Sequence, residues 1–562
     1  MSTTAISPSG SQTGSDPIRF ETHPDAYRHW KFSVEGPVAR LGMDVQEAEG
    51  LKEGDYTLKL NSYDLSVDIE LADAVQRLRF EHPGVRVLVI ESCIPRVFCA
   101  GANIHMLGAS THGFKVNFCK FTNETRLGIE AMSEDCGVHT IAALNGTCAG
   151  GGYELALACD EIILQDDGNT AVSLPEVPLL GVLPGTGGLT RLVDKRKVRR
   201  DLADVFSTVA EGIKGRRAEQ WRLVDKVVPS SRFTDFITSH AAEKGEATGP
   251  RGRSTDEAGM PIPALGGEYT ETGVTHRNVK LEIEGRQATI TVQGPTDAPP
   301  ADAAAARALG ADLWHWRTAR ELDDILLDLR FNRVEVGTII VRTEGAIDQV
   351  LAHDAFLAEN AENDWFLFEV ASAWKRVLKR MDLTARTFYA LIEPGSCFAG
   401  TLFELTLAGD RSYMLDDPDH PVHVQLSAMN KGPFPMSNGL TRLETRFLGE
   451  PETLASALAH EGAWDAVAAE KAGVVTISPD DIDWEDEVRI AIEERVSLSP
   501  DALTGMEANL RFAGPETMET KIFGRLSAWQ NWIFIRPNAT GEHGALTLYA
   551  RPERPVFDWR RT

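Results

Sequence analysis

A sequence pattern that occurs twice is the feature of this 562-residue chain that most constrains its fold. Residues 149–160, AGGGYELALACD, align without gaps with residues 399–410, AGTLFELTLAGD, 250 positions later. A shorter match, GLTRL, recurs at 188–192 and 439–443, one residue out of that register. Because one hydrophobic core rarely grows beyond about 300 residues, a chain of this length is expected to divide. The repeat therefore predicts two copies of one fold.

The second copy has lost residues that the first copy would need for chemistry. Thr401 stands at the position of Gly151, and Ser427 falls where Glu176 would be expected. Of the residues compared, the second copy keeps only Glu404, which corresponds to Glu154. Since a shared fold does not confer a shared function, the second copy is predicted to be a degenerate, structural domain that completes the shell of the first.

Composition marks four segments along the chain. Residues 1–20 are small and polar without an apolar run, so they are expected to be a disordered leader rather than a signal peptide. Residues 241–273 are rich in glycine, proline, serine and threonine, which predicts a linker. These boundaries leave a catalytic domain at 21–240 and a degenerate second domain at 274–562, which ends in an aromatic tail.

Apolar runs and small-residue segments alternate in the first half, which predicts an α/β fold. The β-branched run VRVLVIES at 85–92 lacks helical periodicity and indicates a buried strand of a parallel sheet. The same reasoning predicts further elements: a loop at 96–103, a helix at 112–132, a strand at 139–144, a loop at 146–152 and a helix from residue 153. In the second half it predicts a hairpin at 279–292, strands near 337–342 and 387–392, and helices at 362–380 and 402–408.

Two small-residue loops, each after a predicted buried strand, carry the first chemical signal. Three glycines at 150–152 expose backbone N–H groups where a helix begins, and the helix dipole there favours negative charge. A second donor would be the N–H of Ala102. Two such donors aimed at one oxygen form an oxyanion hole, which stabilises the enolate of a thioester. The alternative is that the glycines allow close packing of loop against helix.

Two glutamates beside these loops are the predicted acid/base pair. Glu154 lies on the first turn of the helix after the glycines, and Glu176 lies in the apolar sequence SLPEVPLLG at 173–181. Burial raises the pKa of a carboxyl group towards the value that a general acid or base needs at neutral pH. The alternative is that both carboxylates are structural ion-pair partners.

Three ordered motifs resemble those of enoyl-CoA hydratases in the crotonase superfamily. They are FCAGANI at 98–104, NGTCAGGGYE at 145–154, and LPEV at 174–177 followed by LPGTGGLTR at 183–191. The resemblance covers about residues 80–230 well and the second half weakly. It implies a crotonase-like superhelix of ββα units, here duplicated with a degenerate second copy, and coenzyme A thioester substrates.

The resemblance also implies roles for individual residues. Asn103 departs from the family, which commonly has aspartate there, but this affects loop packing more than the donor beside it. For Arg96, the alternative to a contact with coenzyme A is a solvated surface arginine. The implied assignments are Ala102 and Gly151 as the oxyanion hole, Glu154 and Glu176 around a catalytic water, and Arg96 and Ala100 as contacts to coenzyme A.

The doubled length and the degenerate second copy resemble one branch of the superfamily, which acts in aerobic benzoate degradation. That resemblance implies a carbon–carbon lyase that opens the ring of an epoxide of benzoyl-CoA with two waters and releases formate. It implies no cofactor beyond the coenzyme A of the substrate, and no metal. The motifs alone also permit an ordinary enoyl-CoA hydratase or isomerase. A non-catalytic acyl-CoA-binding or scaffold protein is the alternative from another class.

Cys119 is a further candidate, on the helix predicted to follow the Ala102 loop. It lies between Lys115 and Lys120, whose charges would favour a thiolate. The commoner alternative is a buried helical cysteine that only packs.

Charge and cysteine usage limit the expected partners and compartment. The net charge of −26 would repel nucleic acid and anionic membranes. The seven cysteines are odd in number and form no paired CxxC arrangement, which favours a reducing cytoplasm without structural zinc. An acyl-CoA substrate is the expected partner, and the superfamily resemblance favours a homodimer. The aromatic tail at 521–559 is predicted to pack at an interface, with a lid over the acyl pocket as the alternative.

Overall fold

The computed structural model describes residues 17–52 and 54–562. Most of the predicted leader, 1–16, lies outside the described residues. Residues 17–20 are packed, because the Ile18 N–H donates to Asn332 at 2.9 Å and the Phe20 ring lies 5.1 Å from that of Phe121. Residues 17–20, which the predicted leader included, therefore belong to the packed structure.

The first half contains ten strands and eight α-helices among the described residues. The strands are β1 Trp30–Glu35, β2 Val38–Met43, β3 Val87–Ser92, β4 Arg96–Cys99, β5 His139–Leu144, β6 Gly146–Ala149, β7 Glu161–Asp166, β8 Ala171–Ser173, β9 Ile213–Lys214 and β10 Lys226–Pro229. The helices are α1 Leu65–Phe80, α2 Ile104–Ala109, α3 His112–Cys136, α4 Gly151–Ala158, α5 Gly188–Thr190, α6 Arg200–Thr208, α7 Gly215–Gln220 and α8 Phe233–Lys244. π-helical turns span Glu176–Leu180 and Arg191–Lys195.

A six-stranded sheet forms the centre of the first half, with strand order β1-β2-β3-β5-β7-β10. β1 and β2 are an antiparallel hairpin, and the remaining neighbours are parallel. β3 and β5 are buried on both faces, as the apolar runs at 85–92 and 139–144 predicted. The predicted helix at 112–132 is confirmed within α3.

A second, four-stranded sheet, β4-β6-β8-β9, lies beside the first. Two of its strands occupy segments predicted to be loops, 96–103 and 146–152, so that prediction is wrong for β4 and β6. These strands are only four residues long, which is too short for an alternating pattern to emerge. Small residues instead let them approach closely, since a Cβ built on Gly146 would lie 2.0 Å from the Arg96 carbonyl carbon.

The second half contains seven strands and thirteen α-helices among the described residues. The strands are β11 Glu268–Thr270, β12 Gly273–Thr275, β13 Val279–Glu284, β14 Gln287–Gln293, β15 Thr338–Glu344, β16 Thr387–Ile392 and β17 Arg411–Met414. The helices are α9 Ala303–Leu309, α10 Trp314–Phe331, α11 Ile347–Asn360, α12 Trp365–Leu383, α13 Gly400–Ala408, α14 Arg442–Arg446, α15 Pro451–Ala459, α16 Ala466–Lys471, α17 Trp484–Ser497, α18 Pro500–Leu510, α19 Met518–Lys521, α20 Ser527–Ile533 and α21 Pro537–Thr540.

The second half repeats the topology of the first in a single sheet, ordered β11-β12-β13-β14-β15-β16-β17. β13 and β14 form an antiparallel hairpin that continues into parallel β15, β16 and β17, as β1 and β2 continue into β3, β5 and β7. The four-stranded sheet has no described counterpart beyond two isolated bridges, Ala399 to Gln425 and Val424 to Trp464. The α/β duplication with a degenerate second copy is thus confirmed.

The segment between the halves packs against the first half instead of crossing free solvent. α8 extends to Lys244, and β11 begins at Glu268, so the irregular segment is shorter than the 241–273 that composition suggested. Its Met260 N–H donates to the Phe80 carbonyl at 2.7 Å, and Arg253 is buried. None of the described helices is both long and apolar enough to cross a membrane.

The two halves share an extensive buried interface. Phe80 of the first half stacks on Trp316 of the second, with ring centroids 4.4 Å apart. The fully buried carboxylate of Glu369 bonds Arg79 at 3.1 Å and Arg253 at 2.8 Å. A buried carboxylate without such partners would be costly, so these contacts bind the halves to each other specifically.

Candidate active site

Three parallel strands of the four-stranded sheet end side by side, and the segments after them form the candidate site. β4 runs parallel to β6, with Cys99 opposite Cys148, and β6 runs parallel to β8, with Ala149 opposite Ser173. Ligands of α/β proteins commonly bind at the carboxyl ends of parallel strands. This edge of the sheet brings together the loop of Ala102, the glycine triplet and the segment of Glu176.

The two predicted N–H donors lie on loops that touch each other. Gly101 has a φ of +90°, and a Cβ built on it would lie 3.0 Å from the Gly151 nitrogen. Tyr63 forms a parallel bridge with Ala102 through bonds to residues 101 and 103, so the Ala102 N–H points away from it. Among the described residues, the N–H groups of Ala102 and Gly151 donate to no protein acceptor. Both donors are therefore available to a ligand.

Each glycine of the triplet faces a neighbouring group at close range. Gly150, with a φ of +53°, also forms the N-cap of α4 without a side-chain cap, which leaves orphan N–H groups at that helix end. A Cβ would lie 2.8 Å from Glu176 Oε1 if built on Gly150, 1.9 Å from Tyr63 Oη on Gly151, and 2.6 Å from Cys99 Cβ on Gly152. The glycines thus allow close packing and also leave backbone N–H donors free at the start of α4.

Glu154 is held by the turn that follows the π-helical segment of Glu176. Its Oε1 accepts the N–H groups of Thr186 at 2.9 Å and Gly188 at 2.8 Å. The Thr186 hydroxyl donates to Oε2. Glu154 is 2% exposed, and hydrogen bonds of this kind are what a buried carboxylate requires. Its orientation in the site is therefore set by three donors.

Glu176 contrasts with Glu154 because one of its oxygens has no partner. Its side chain is buried, and Oε2 meets no hydrogen-bond donor in the described structure. Burial, with a smaller contribution from the charge of Glu154, raises the pKa of Glu176 to about 7. A carboxyl group with that pKa can both give and take a proton near neutral pH.

Cys119 lies next to the same turn but is not activated. A Cβ built on Gly185 would be 3.7 Å from its sulfur. Burial and then the charge of Glu154 raise the pKa of the Cys119 thiol to about 11. The expectation of a thiolate is therefore wrong. Lys120 gives no help, because burial lowers its own pKa to about 7 and its Nζ donates to the Thr562 carbonyl at 3.1 Å.

The two residues predicted to contact coenzyme A both lie on the surface, at opposite ends of β4. Ala100 is exposed, and its N–H donates to the Leu60 carbonyl at 3.1 Å. Arg96 is exposed at the start of β4, at the opposite end of that strand from the Ala102 loop. Their contact with coenzyme A stays a prediction.

The corresponding edge of the second half is closed by its own side chains. Gly400, the counterpart of Gly150, has a φ of +46°, and a Cβ built on it would lie 2.6 Å from Ser427 Oγ. Ser427 thus takes the place of Glu176, as the repeat predicted. The Thr401 N–H, the counterpart of the Gly151 donor, bonds the carboxylate of Asp354 at 2.7 Å.

The remaining carboxylate of the second copy is also neutralised. Glu404 accepts from Asn430 at 2.8 Å and Arg442 at 3.1 Å, and it is 2% exposed. Arg442 also pairs with Asp382 at 2.7 Å. Glu404 is therefore part of a buried ion-pair network, while the carboxylate of Asp354 occupies the Thr401 N–H donor.

Sequence reasoning missed two side chains of the candidate site. Tyr63 is 2% exposed and its hydroxyl has no hydrogen-bond partner, although it abuts Gly151. Asn123 donates to the Gly185 carbonyl at 3.1 Å and so supports the turn that binds Glu154. Neither belongs to the three motifs that carry the family resemblance. In the part of the chain that the structure describes, no group of three or more His, Cys, Asp or Glu residues is arranged to hold a metal ion.

Similarity to a known family is found in the first half of the chain. The enoyl-CoA hydratase/isomerase family profile matches residues 57–247. The fatty acid oxidation complex subunit alpha of Vibrio campbellii is 33% identical over 38% of this chain and 29% of its own length. A crystal structure of an enoyl-CoA hydratase from Geobacillus kaustophilus is 31% identical and covers 39% of this chain and 76% of its own, with a TM-score of 0.35.

The family profile, the ββα topology and the paired N–H donors define a class, the crotonase-type enzymes of the enoyl-CoA hydratase/isomerase superfamily. A more specific similarity covers both halves. The benzoyl-CoA-dihydrodiol lyase of Aromatoleum evansii is 54% identical over 97% of this chain and 98% of its own length. The chain belongs to the benzoyl-CoA-dihydrodiol lyase family.

Proposed function

We propose that this protein is a carbon–carbon lyase of the aldehyde-lyase type that opens the ring of 2,3-epoxy-2,3-dihydrobenzoyl-CoA. Two waters are consumed, and the products are 3,4-didehydroadipyl-CoA semialdehyde and formate, in aerobic benzoate degradation. The observation that carries this proposal is the 54% identity with a benzoyl-CoA-dihydrodiol lyase over 97% of the chain. That similarity includes the degenerate second half, which an ordinary enoyl-CoA hydratase lacks.

The oxyanion hole supplies the electron sink of the proposed reaction. The N–H groups of Ala102 and Gly151 donate to the thioester oxygen of the substrate, and the dipole of α4 reinforces them. Because the thioester is conjugated with the ring, negative charge that develops on the ring reaches this oxygen. The contact between the two loops supports this role, since it keeps both donors together before substrate binds.

The two glutamates divide the proton transfers. Glu154, oriented by three donors, takes a proton from the attacking water, and the hydroxide oxygen adds to the epoxidised ring. A carbon–oxygen bond of the epoxide breaks, and its oxygen takes a proton from Glu176. The pKa of Glu176 near 7 supports the role of acid, because about half of the group is protonated at neutral pH. The ring carbon–carbon bond beneath the epoxide breaks when the epoxide is in its seven-membered oxepin form, so this hydration leaves an aldehyde on each of the two carbons that carried the oxygen. A second activated water adds to the aldehyde carbon next to the carbon that bears the thioester. The bond between these two carbons breaks, its electron pair becomes the thioester enolate held by the two N–H donors, the enolate carbon takes a proton, and the aldehyde carbon leaves as formate.

Substrate binding needs no cofactor beyond the coenzyme A of the substrate in this proposal. Water adds and carbon–carbon and carbon–oxygen bonds break, so no electron passes to an external acceptor. Arg96 and Ala100 are assigned as contacts to coenzyme A, with the guanidinium near a phosphate. The exposure of both residues supports that assignment.

We also propose a cytoplasmic homodimer. The seven cysteines are free, which suits a reducing compartment. Large apolar side chains of the tail are exposed, among them Phe523 at 74%, Ile535 at 76% and Tyr549 at 83%. Exposed aromatic and apolar side chains concentrated in one segment are typical of interfaces. Light scattering on the purified protein tests the homodimer, and a monomeric mass at micromolar concentration would contradict it.

The test of the proposed reaction is direct. Purified protein is incubated with freshly made 2,3-epoxybenzoyl-CoA, and formate and the acyl-CoA product are followed by mass spectrometry. We expect the Glu154→Gln and Glu176→Gln variants to lose at least about 10²-fold in kcat. Glu404→Gln is the matched control, because Glu404 corresponds to Glu154 in the closed second copy. It is expected to lower the melting temperature and to keep kcat/KM.

Crotonyl-CoA serves as the control substrate. Formate release that disappears in both active-site variants supports the lyase. Efficient hydration of crotonyl-CoA without formate from the epoxide would instead favour an enoyl-CoA hydratase with an unusual second domain. Formate release that survives in Glu154→Gln and Glu176→Gln would contradict the assignment of these residues.

A further inference from the structure

The Tyr63 hydroxyl is a buried polar group at the rim of the oxyanion hole with no partner in the protein. Tyr63 is 2% exposed, and its Oη has no hydrogen-bond partner among the described residues. A Cβ built on Gly151 would lie 1.9 Å from that oxygen, so the hydroxyl sits directly against the residue whose N–H is a predicted donor. Most buried polar groups are hydrogen-bonded, and an orphan beside a ligand site asks for an acceptor from the ligand.

The backbone around Tyr63 is tied to the Ala102 loop. The Tyr63 N–H donates to the Gly101 carbonyl at 3.0 Å, and the Tyr63 carbonyl accepts the Asn103 N–H at 2.8 Å. Tyr63 therefore bridges the two halves of the oxyanion hole, with its backbone on the loop of Ala102 and its hydroxyl on Gly151.

The turn that precedes Tyr63 holds an uncommon conformation. Leu60 and Asn61 have φ values of +59° and +52°, in the left-handed region that non-glycine residues rarely adopt. The Asn61 side chain compensates through bonds from its amide to the carbonyls of Met43 at 3.2 Å and Phe98 at 3.1 Å. Strained turns that are held this firmly are concentrated at functional sites, where they orient a neighbouring group.

The surroundings of the ring keep the hydroxyl protonated. Burial raises the pKa of Tyr63 well above its usual value, against a smaller opposite effect of Arg126. The Arg126 guanidinium lies 5.4 Å from the ring centroid and is paired with Asp68 at 2.6 Å. Tyr63 therefore acts as a hydrogen-bond donor and does not transfer its proton.

We propose that the Tyr63 hydroxyl is a third donor to the thioester oxygen, beside the N–H groups of Ala102 and Gly151. This inference rests on the proposed function, because it needs an acyl-CoA in the site. A third donor matters for an aromatic thioester, whose carbonyl must accept charge from the whole ring. The proton stays on Tyr63 throughout, and the hydrogen bond strengthens as the oxygen becomes negative.

The simplest test is spectroscopic and needs no turnover. Benzoyl-CoA labelled with ¹³C at the carbonyl is bound to the full chain, and its isotope-edited infrared band is compared with that of the free ligand. In wild type we expect a shift to lower frequency, because three donors weaken the carbonyl bond. In Tyr63→Phe the shift is expected to be clearly smaller, with kcat on the epoxide lowered about 10²-fold and KM little changed.

Tyr153→Phe is the matched control. Tyr153 is buried on α4, and its hydroxyl donates to the Leu223 carbonyl at 2.7 Å, so its bond is structural. We expect Tyr153→Phe to lower the melting temperature and to leave the carbonyl band as in wild type. Tyr63→Phe should leave the melting temperature unchanged and reduce the shift of the carbonyl band, since the Tyr63 hydroxyl bonds no protein group.

Each result decides whether Tyr63 is a donor to the thioester or a core tyrosine that only packs. A carbonyl band and kcat in Tyr63→Phe that equal those of wild type would overturn the donor role and leave a core tyrosine. A large loss of melting temperature in that variant, with the carbonyl shift unchanged, would do the same. Failure of wild type to bind benzoyl-CoA at all would instead overturn the proposed function, and the donor role with it.

Discussion

Replacing Glu176 with glutamine is expected to remove activity and to stabilise the protein at alkaline pH. Glu176 has a pKa of about 7 in the folded protein, against an ordinary value of 4.5, chiefly because it is buried. Between these two values the folded state binds more protons than the unfolded state. Stability therefore falls as the pH rises through this window, and the full cost is present above about pH 7.

The size of the effect follows from the two pKa values. A difference of one pH unit is worth about 1.4 kcal/mol, so the rise from 4.5 to about 7 corresponds to about 3 kcal/mol. Glutamine has nearly the same shape and cannot ionise. Any change in packing or hydrogen bonding that it introduces is independent of pH and cancels when two pH values are compared.

The assay is urea unfolding of wild type and Glu176→Gln at pH 5 and pH 8. We expect the variant to gain about 2–3 kcal/mol relative to wild type at pH 8 compared with pH 5. The kcat of the variant should be low at both values. An equal stability difference at the two pH values would refute the argument that burial holds this carboxyl group near neutrality.

Three further perturbations test other parts of the structure. Gly188→Ala places a Cβ 2.8 Å from Glu154 Oε1, so kcat should fall by about 10-fold or more while the melting temperature changes little. Cys119→Ala should retain most of kcat/KM, because burial raises the pKa of that thiol to about 11 and keeps it from acting as a thiolate. A loss in kcat/KM above about 10-fold would contradict this. The hydrogen bond of His139 holds the pKa of Glu161 at about 2, so Glu161 stabilises the folded state above pH 4.5, and this stabilisation, about 1 kcal/mol after screening by solvent, is lost as the pH falls towards 2. Glu161→Gln should flatten that acid limb in melting experiments between pH 7 and pH 3, and an unchanged limb would refute it.

The crotonase-like elements of the core were predictable because they are encoded locally. β3 and β5 are uninterrupted apolar runs, and the helices α3 and α12 show their periodicity over several turns. β4 and β6 were not predictable. They are only four residues long, so only pairing with a distant strand defines them as strands.

The candidate site shows the same division. Glu154 and Glu176 were identified from their motifs, and the structure places both beside the glycine triplet. Their difference was hidden, because the donors of Glu154 come from residues 186–188 and Oε2 of Glu176 is without a partner. The neutral thiol of Cys119 was equally hidden, since burial outweighs the charges of its sequence neighbours.

By itself the sequence determined the duplication, the superfamily and the candidate acid/base and N–H donor groups. Repeats, glycines and carboxylates in apolar surroundings reflect local requirements, which each short segment must satisfy on its own. Only the tertiary structure decided which side chains meet, how deeply each is buried and which protons they hold. Tyr63 against Gly151 and Asp354 against Thr401 are both such cases. Burial and hydrogen bonding depend on residues far apart in the chain, and no local pattern records them.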